Sequence, residues 1–133
     1  MGKEHEKFKG VFVELNSNLI LVKLNGDLRC DACIEEFKNF SDELDKEIEK
    51  NYKKTKTKVN LLLDVNNLTT YNIEAFKYLE ESASRTKDYD NKTAVIGASY
   101  SLELLAESIS ALTGHSDIKF FKTKKEAIDW LQE

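Results

Sequence analysis

Short apolar runs and amphipathic stretches alternate three times through the second half of the chain. Val59-Asn60-Leu61-Leu62-Leu63-Asp64 is the first run, and a helical pattern follows from about Asn72 to Tyr89. Thr93-Ala94-Val95-Ile96-Gly97 is the second, with a helical pattern from about Ser101 to Thr113. Ile118-Lys119-Phe120-Phe121 is the third, with a helix from Lys124 to the end. Successive strands joined by helices make parallel sheet with right-handed crossovers.

The first half has a different rhythm. Val11 to Leu15 and Leu19 to Leu24 are β-rich, and Asn16-Ser17-Asn18 between them is turn chemistry. A link this tight predicts an antiparallel hairpin, ended by Gly26 and Asp27. From Asp31 to Lys54, the apolar positions Cys33, Phe37, Phe40, Leu44, Ile48 and Tyr52 step by three and four, as one face of a helix does. On its polar face, Asp42 and Lys46 are spaced to pair across a turn, whereas Glu43 and Glu47 repel. The later helices bury Ile73, Phe76, Leu79 and Ala83, then Leu102, Leu105, Ala106, Ile109 and Leu112 before a Gly114 cap, then Ala127, Ile128 and Leu131 with Trp130 at an edge. Thr123-Lys124-Lys125-Glu126 is a capping box. The predicted order is β-β-α-β-α-β-α-β-α. It is an α/β fold with a mixed five-stranded sheet, an N-terminal antiparallel hairpin and a parallel remainder. Residues 1–9 read as a charged lead-in and 10–133 as a single domain.

Composition narrows the function classes. At 133 residues, with 41% apolar and 33% charged residues, the chain suits one soluble globular domain. A net charge of −4 argues against a nucleic-acid partner, which needs a clustered positive excess. No apolar stretch approaches the ~20 residues that span a bilayer, and the N-terminus lacks the apolar region of a secretory signal. The expectation is a cytoplasmic protein whose two cysteines are reduced thiols. Proline is absent, which excludes any site that relies on a cis-proline.

Open α/β sheets bind ligands beyond the carboxyl ends of their parallel strands. Those ends carry Asp64, Asn66, Asn67, Thr70, Tyr71, Ser99, Tyr100 and Ser101, the candidate ligand-binding set. The same residue types are ordinary turn and helix-cap residues. Cys30-Asp31-Ala32-Cys33 follows a strand and opens a helix, as a thioredoxin-type pair does. The missing proline, and Cys33's place on the apolar face, favour a core cysteine over a redox site. His5, His115 and the cysteines do not have the spacing of a closed zinc site. Asp64, Ser99 and Lys122 match response-regulator receivers only in part, because a hairpin stands where receivers need a helix. The five glycines are scattered, so there is no phosphate loop. The expectation is no catalytic set, no metal and no cofactor. Lys53, Lys54, Lys56 and Lys58 form a basic cluster before a strand, which suits an ordinary solvated loop or peripheral contact with anionic lipid.

Leu61-Leu62-Leu63-Asp64-Val65-Asn66-Asn67-Leu68 looks like the central strand and following loop of the STAS superfamily. Phe120-Phe121-Lys122-Thr123-Lys124-Lys125-Glu126-Ala127-Ile128-Asp129-Trp130-Leu131 looks like the way SpoIIAA-like chains end. The chain resembles that branch over residues 10–133. The resemblance implies a non-catalytic regulatory or protein-interaction module. The alternative it implies, through CRAL-TRIO lipid-binding domains, is a binder of a small amphipathic or lipid-like ligand. STAS antagonists carry a phosphorylated Ser in Asp-Ser-Ser-Gly-Leu, where this chain reads Asn72-Ile73-Glu74-Ala75-Phe76. Ile73 stands at the acceptor position, so the phospho-switch is not expected here, and Thr69 and Thr70 match no acceptor. An exposed Trp130 is compatible with a homodimer.

Overall fold

The computed structural model describes residues 7–70, 72–104, 107 and 118–133, and the backbone alone at Ile73, Phe76, Glu80 and Ala83. Five strands form one sheet in chain order: β1 (Lys9–Asn16), β2 (Leu19–Asn25), β3 (Val59–Asp64), β4 (Asp90–Ile96) and β5 (Ile118–Phe121). β1 and β2 are antiparallel, and every later pair is parallel. This is the mixed sheet expected from the sequence. The hairpin turn closes locally, with the Asn18 N–H donating to Asn16 Oδ1 at 3.0 Å.

Strand side chains alternate between faces, and here both faces are covered. Ile20, Val22 and Leu24 of β2, Val59 of β3 and Val95 of β4 face a large core. Leu19, Leu62, Ala94 and Ile96 face a smaller one. The helix α1 (Asp31–Thr55) covers the larger core with Cys33, Phe37, Phe40 and Ile48. The helix α3 (Lys124–Leu131) covers the smaller one with Ala127 and Leu131. Phe37 is 2% exposed, and burying such a side chain contributes roughly 1.5–3 kcal/mol. Phe8 also belongs to this core, 5.3 Å from the Phe37 ring and 6.1 Å from the Phe40 ring between centroids. Packing therefore starts inside the segment read as lead-in. Gly10 permits the close seat of Phe40, because a Cβ there would lie 2.6 Å from its ring.

The C-terminal helix is tied down by a buried amide. Asn60 Nδ2 donates to the Leu131 carbonyl at 3.0 Å, while its Oδ1 accepts from Asn91 Nδ2 and the Lys92 N–H, both at 3.1 Å. The Thr123 half of the expected capping box of α3 is present, while Glu126 meets the Thr123 hydroxyl. Thr123 Oγ1 accepts from the Glu126 N–H at 3.2 Å and donates to Glu126 Oε1 at 3.0 Å. Trp130 packs on Phe121 at 5.6 Å, with Lys92 and Lys119 over its ring.

The helix α2 (Ile73–Thr86) is capped by Asn72, which accepts from the Glu74 N–H at 2.7 Å. It packs on α1, and its Ala75, Tyr78 and Leu79 join the larger core against the sheet. Ser82 Oγ donates to Asp45 Oδ1 at 2.6 Å, Arg85 to Asp45 Oδ2 at 3.1 Å, and Lys38 to Glu74 at 3.1 Å. Asp42, expected to pair with Lys46 along its own helix, instead faces α2, accepting from the Tyr78 hydroxyl and lying 3.6 Å from Arg85. Helical backbone resumes at residues 100–104, where Ser99 Oγ accepts from the Leu102 N–H at 3.2 Å. The expected inward positions Leu105, Ala106, Ile109 and Leu112, and the Gly114 cap, lie outside the described residues.

Candidate functional site

The carboxyl ends of β2, β3 and β4 converge on one rim. The loop after β3 is stitched to the end of β2: the Gly26 N–H donates to the Asn67 carbonyl at 2.9 Å, and the Thr69 N–H donates to the Gly26 carbonyl at 2.9 Å. Asp64 Oδ1 accepts from the Asn66 N–H and from Asn66 Nδ2, both at 2.9 Å, closing a turn that carries the chain off β3. Asn66 in turn rests on Gly97. That glycine has φ +84°, and a Cβ there would meet the Asn66 side chain at 2.5 Å.

Thr70 reaches the end of β2, where its hydroxyl donates to Asp27 and accepts from the Leu28 N–H at 3.0 Å. Ser99 caps the helical turn after β4, and Tyr100 is 68% exposed beside the exposed Ser101. Asn67 is exposed, and Tyr71 lies outside the described residues. Of the candidate set, Asp64 and Asn66 are brought into contact, and Thr70 joins Asp27 rather than its fellow candidates. The polar atoms of Asp64, Thr70 and Ser99 organise backbone, as cap and turn residues do.

Sequence reading missed the Asp27 cluster. Asp27 is 5% exposed and accepts from Arg29 Nε at 3.1 Å, from the other guanidinium nitrogen at 2.8 Å and from the Arg29 backbone N–H at 2.8 Å. The guanidinium first, and the Thr70 hydroxyl next, hold its carboxyl well below the usual carboxylate range. A Gly-Asp pair after a strand reads only as a strand stop, so the sequence carries no signal for this cluster.

The cysteines correct a second expectation. Cys30 and Cys33 form a disulfide, with Cα atoms 5.0 Å apart, rather than standing as two reduced thiols. The expectation rested on compartment, whereas helical spacing brings the pair within bridging range. Cys33 is 3% exposed and lies in the core as expected, while Cys30 is exposed. No group of three metal-ligating side chains occurs among the described residues, and His5 and His115 lie outside them. No described helix is long and apolar enough to cross a membrane.

A cavity of about 180 Å³ lies between the sheet and the α1–α2 pair. Its walls are apolar, with Val22 and Leu24 from β2, Phe37, Leu44 and Ile48 from α1, Leu61 and Leu63 from β3, and Ala75 and Leu79 from α2. Leu28, Val65, Leu68 and Leu102 line the end beneath the rim. Ser41, Asp45, Ser82, Thr86, Asp90 and Thr93 supply the polar part of the lining. Thr86 Oγ1 donates to Asp90 Oδ2 at 2.9 Å, and burial pushes the Asp45 carboxyl above its ordinary value against the pull of Ser82 and Arg85. None of the seven described candidate residues lines this space. A space between a sheet and the helices over it leaves no mark on hydrophobic periodicity.

The described geometry matches known proteins at the level of fold. The SpoIIAA-like family model matches residues 20–132. An unphosphorylated anti-sigma factor antagonist, SpoIIAA, superposes with a TM-score of 0.64 at 13% identity, over 94% of this chain and 96% of that one. An uncharacterised protein with a SpoIIAA-like fold from Shewanella loihica superposes with a TM-score of 0.66 at 19% identity, over 98% of each chain. No curated protein sequence matches the chain.

Proposed function

Since the chain belongs to the SpoIIAA-like family, we propose that it is a non-catalytic module that takes up a small apolar or amphipathic molecule between the sheet and the α1–α2 pair. The cavity of about 180 Å³ carries this reading. An apolar cavity of ~150 Å³ stays dry and accepts benzene, so the space suits a ring-sized or short-chain guest. The hydroxyls and carboxyls of Ser41, Asp45, Ser82 and Thr86 offer hydrogen-bond partners to a polar head. The strand-end residues Asp64, Asn66, Asn67, Thr70, Ser99, Tyr100 and Ser101 form the rim of the entrance in this reading.

The test uses N-phenyl-1-naphthylamine, whose fluorescence rises on entering an apolar site. Val95→Phe fills the cavity from the sheet side. The expected result is loss of probe binding with the circular dichroism spectrum and melting temperature retained. Unchanged probe affinity in a folded Val95→Phe protein overturns the reading.

A second reading, a regulatory protein-interaction module, is favoured by β1. Val11, Val13 and Leu15 are 41%, 51% and 42% exposed. Phe12 points to the larger core, so by alternation Val11 and Val13 share the opposite face, with Leu15 next to them where the register shifts. This apolar strip would receive a protein partner or a second copy of the chain. Val13→Asp separates the readings, since it abolishes association measured by sedimentation and leaves probe uptake intact.

A further inference from the structure

The disulfide at the start of α1 lies apart from the cavity, and the ligand reading makes no use of it. Its cysteines are only three positions apart, so it restrains the unfolded chain far less than a long-range bridge does. Stability alone gives little reason for it. The two sulfurs also differ in access: Cys30 is exposed, while Cys33 is 3% exposed in the core cluster that holds Phe37. The backbone N–H of Cys33 donates to Cys30 Sγ at 3.0 Å, which makes that sulfur the N-cap acceptor of α1. A thiolate at Cys30 keeps this hydrogen bond and sits in the partial positive charge of the helix start. Arg29 adds a guanidinium one residue before it, and Asp31 a carboxylate one residue after.

We propose that Cys30–Cys33 is a reversible dithiol–disulfide couple that exchanges with small monothiols, with Cys30 as the sulfur under attack. A monothiolate attacks Cys30 Sγ, the bond between the two Sγ atoms breaks, and Cys33 leaves as a thiolate that takes a proton from water. Cys30 is then joined to the monothiol in a mixed disulfide. A second monothiolate attacks the sulfur of the bound monothiol, forming the external disulfide and releasing Cys30 as a thiolate. Two electrons pass from two thiols to the protein, and the external disulfide runs the same steps in reverse. The co-reactant is a small monothiol rather than an extended peptide, because the chain holds no proline to set against the pair as thioredoxin-type sites do.

The test equilibrates the full-length protein in glutathione buffers from reduced to oxidised, quenches with acid, and tags free thiols with a maleimide polymer. Both cysteines are expected to convert together and reversibly, with one midpoint inside that range and unchanged circular dichroism. Cys33→Ser should take up one glutathione at Cys30 from the oxidised form. Cys30→Ser should show complete loss of the adduct while folded. A bridge that resists reduced glutathione until denaturant is added overturns the proposal, as do two cysteines that stay free in oxidised glutathione, or an adduct that forms at Cys33 in the folded chain. Thiol tagging does not depend on probe uptake, so failure of this proposal and failure of the ligand reading are separate results.

Discussion

A carboxylate at 5% exposure keeps its charge only where donors replace the water it has lost. Asp27 has the Arg29 guanidinium, the Arg29 N–H and the Thr70 hydroxyl. Its carboxyl is held below the ordinary range in the folded state, so the unfolded chain takes up a proton first as pH falls. The stability it contributes is complete above the ordinary aspartate value of about 3.9 and declines as pH falls from there toward the folded value. Asp27→Asn should flatten that acid limb and lower stability at neutral pH. Urea denaturation at neutral pH and near pH ~3 checks this, and an unchanged slope between the two assigns the acid limb to another group. The strand stop at Gly26-Asp27 was readable in the sequence, but its partner Thr70 lies 43 positions away and was not.

At the scale of elements, α2 is tied to α1 by polar contacts as well as by its share of the larger core. Arg85 connects it to Asp42 and Asp45 and lies 5.3 Å from the centre of the Tyr78 ring. Partly exposed ion pairs contribute ~0.2–1 kcal/mol each, so losing both with Arg85→Ala should lower global stability by less than about 2 kcal/mol. It should instead speed amide exchange selectively across Ile73–Thr86, leaving β2, β3 and β4 protected. Uniform acceleration would show that α2 does not open on its own. The elements themselves were legible. Val59–Asp64 and Ile118–Phe121 are strands at their predicted bounds, because compact apolar runs between polar turns leave few alternatives. Asp42 was misread because i,i+4 spacing is visible in a sequence, while Tyr78 across the helix pair, 36 positions on, is not.

At the scale of the whole molecule, one sheet separates two unequal cores. The smaller is closed by α3 with Asn60 bound to Leu131, and the larger holds the void beneath α2. The candidate rim was readable as polar residues at strand ends, but the space below it depends on how helices and sheet pack in three dimensions, which no local pattern records. That space has a mechanical consequence. Unfolding a chain removes its internal voids, and hydrostatic pressure favours the state of smaller volume. A cavity of about 180 Å³ per molecule is about 110 mL per mole, and the volume change on unfolding scales with such space without equalling it. The empty protein should therefore unfold at lower pressure, and with a larger volume change, than Val95→Phe. Trp130 fluorescence in a pressure cell reads both quantities, and equal volume changes would mean the void is already filled in solution. Compressibility, a property of the empty chain alone, thus reports whether the chamber under α2 is vacant.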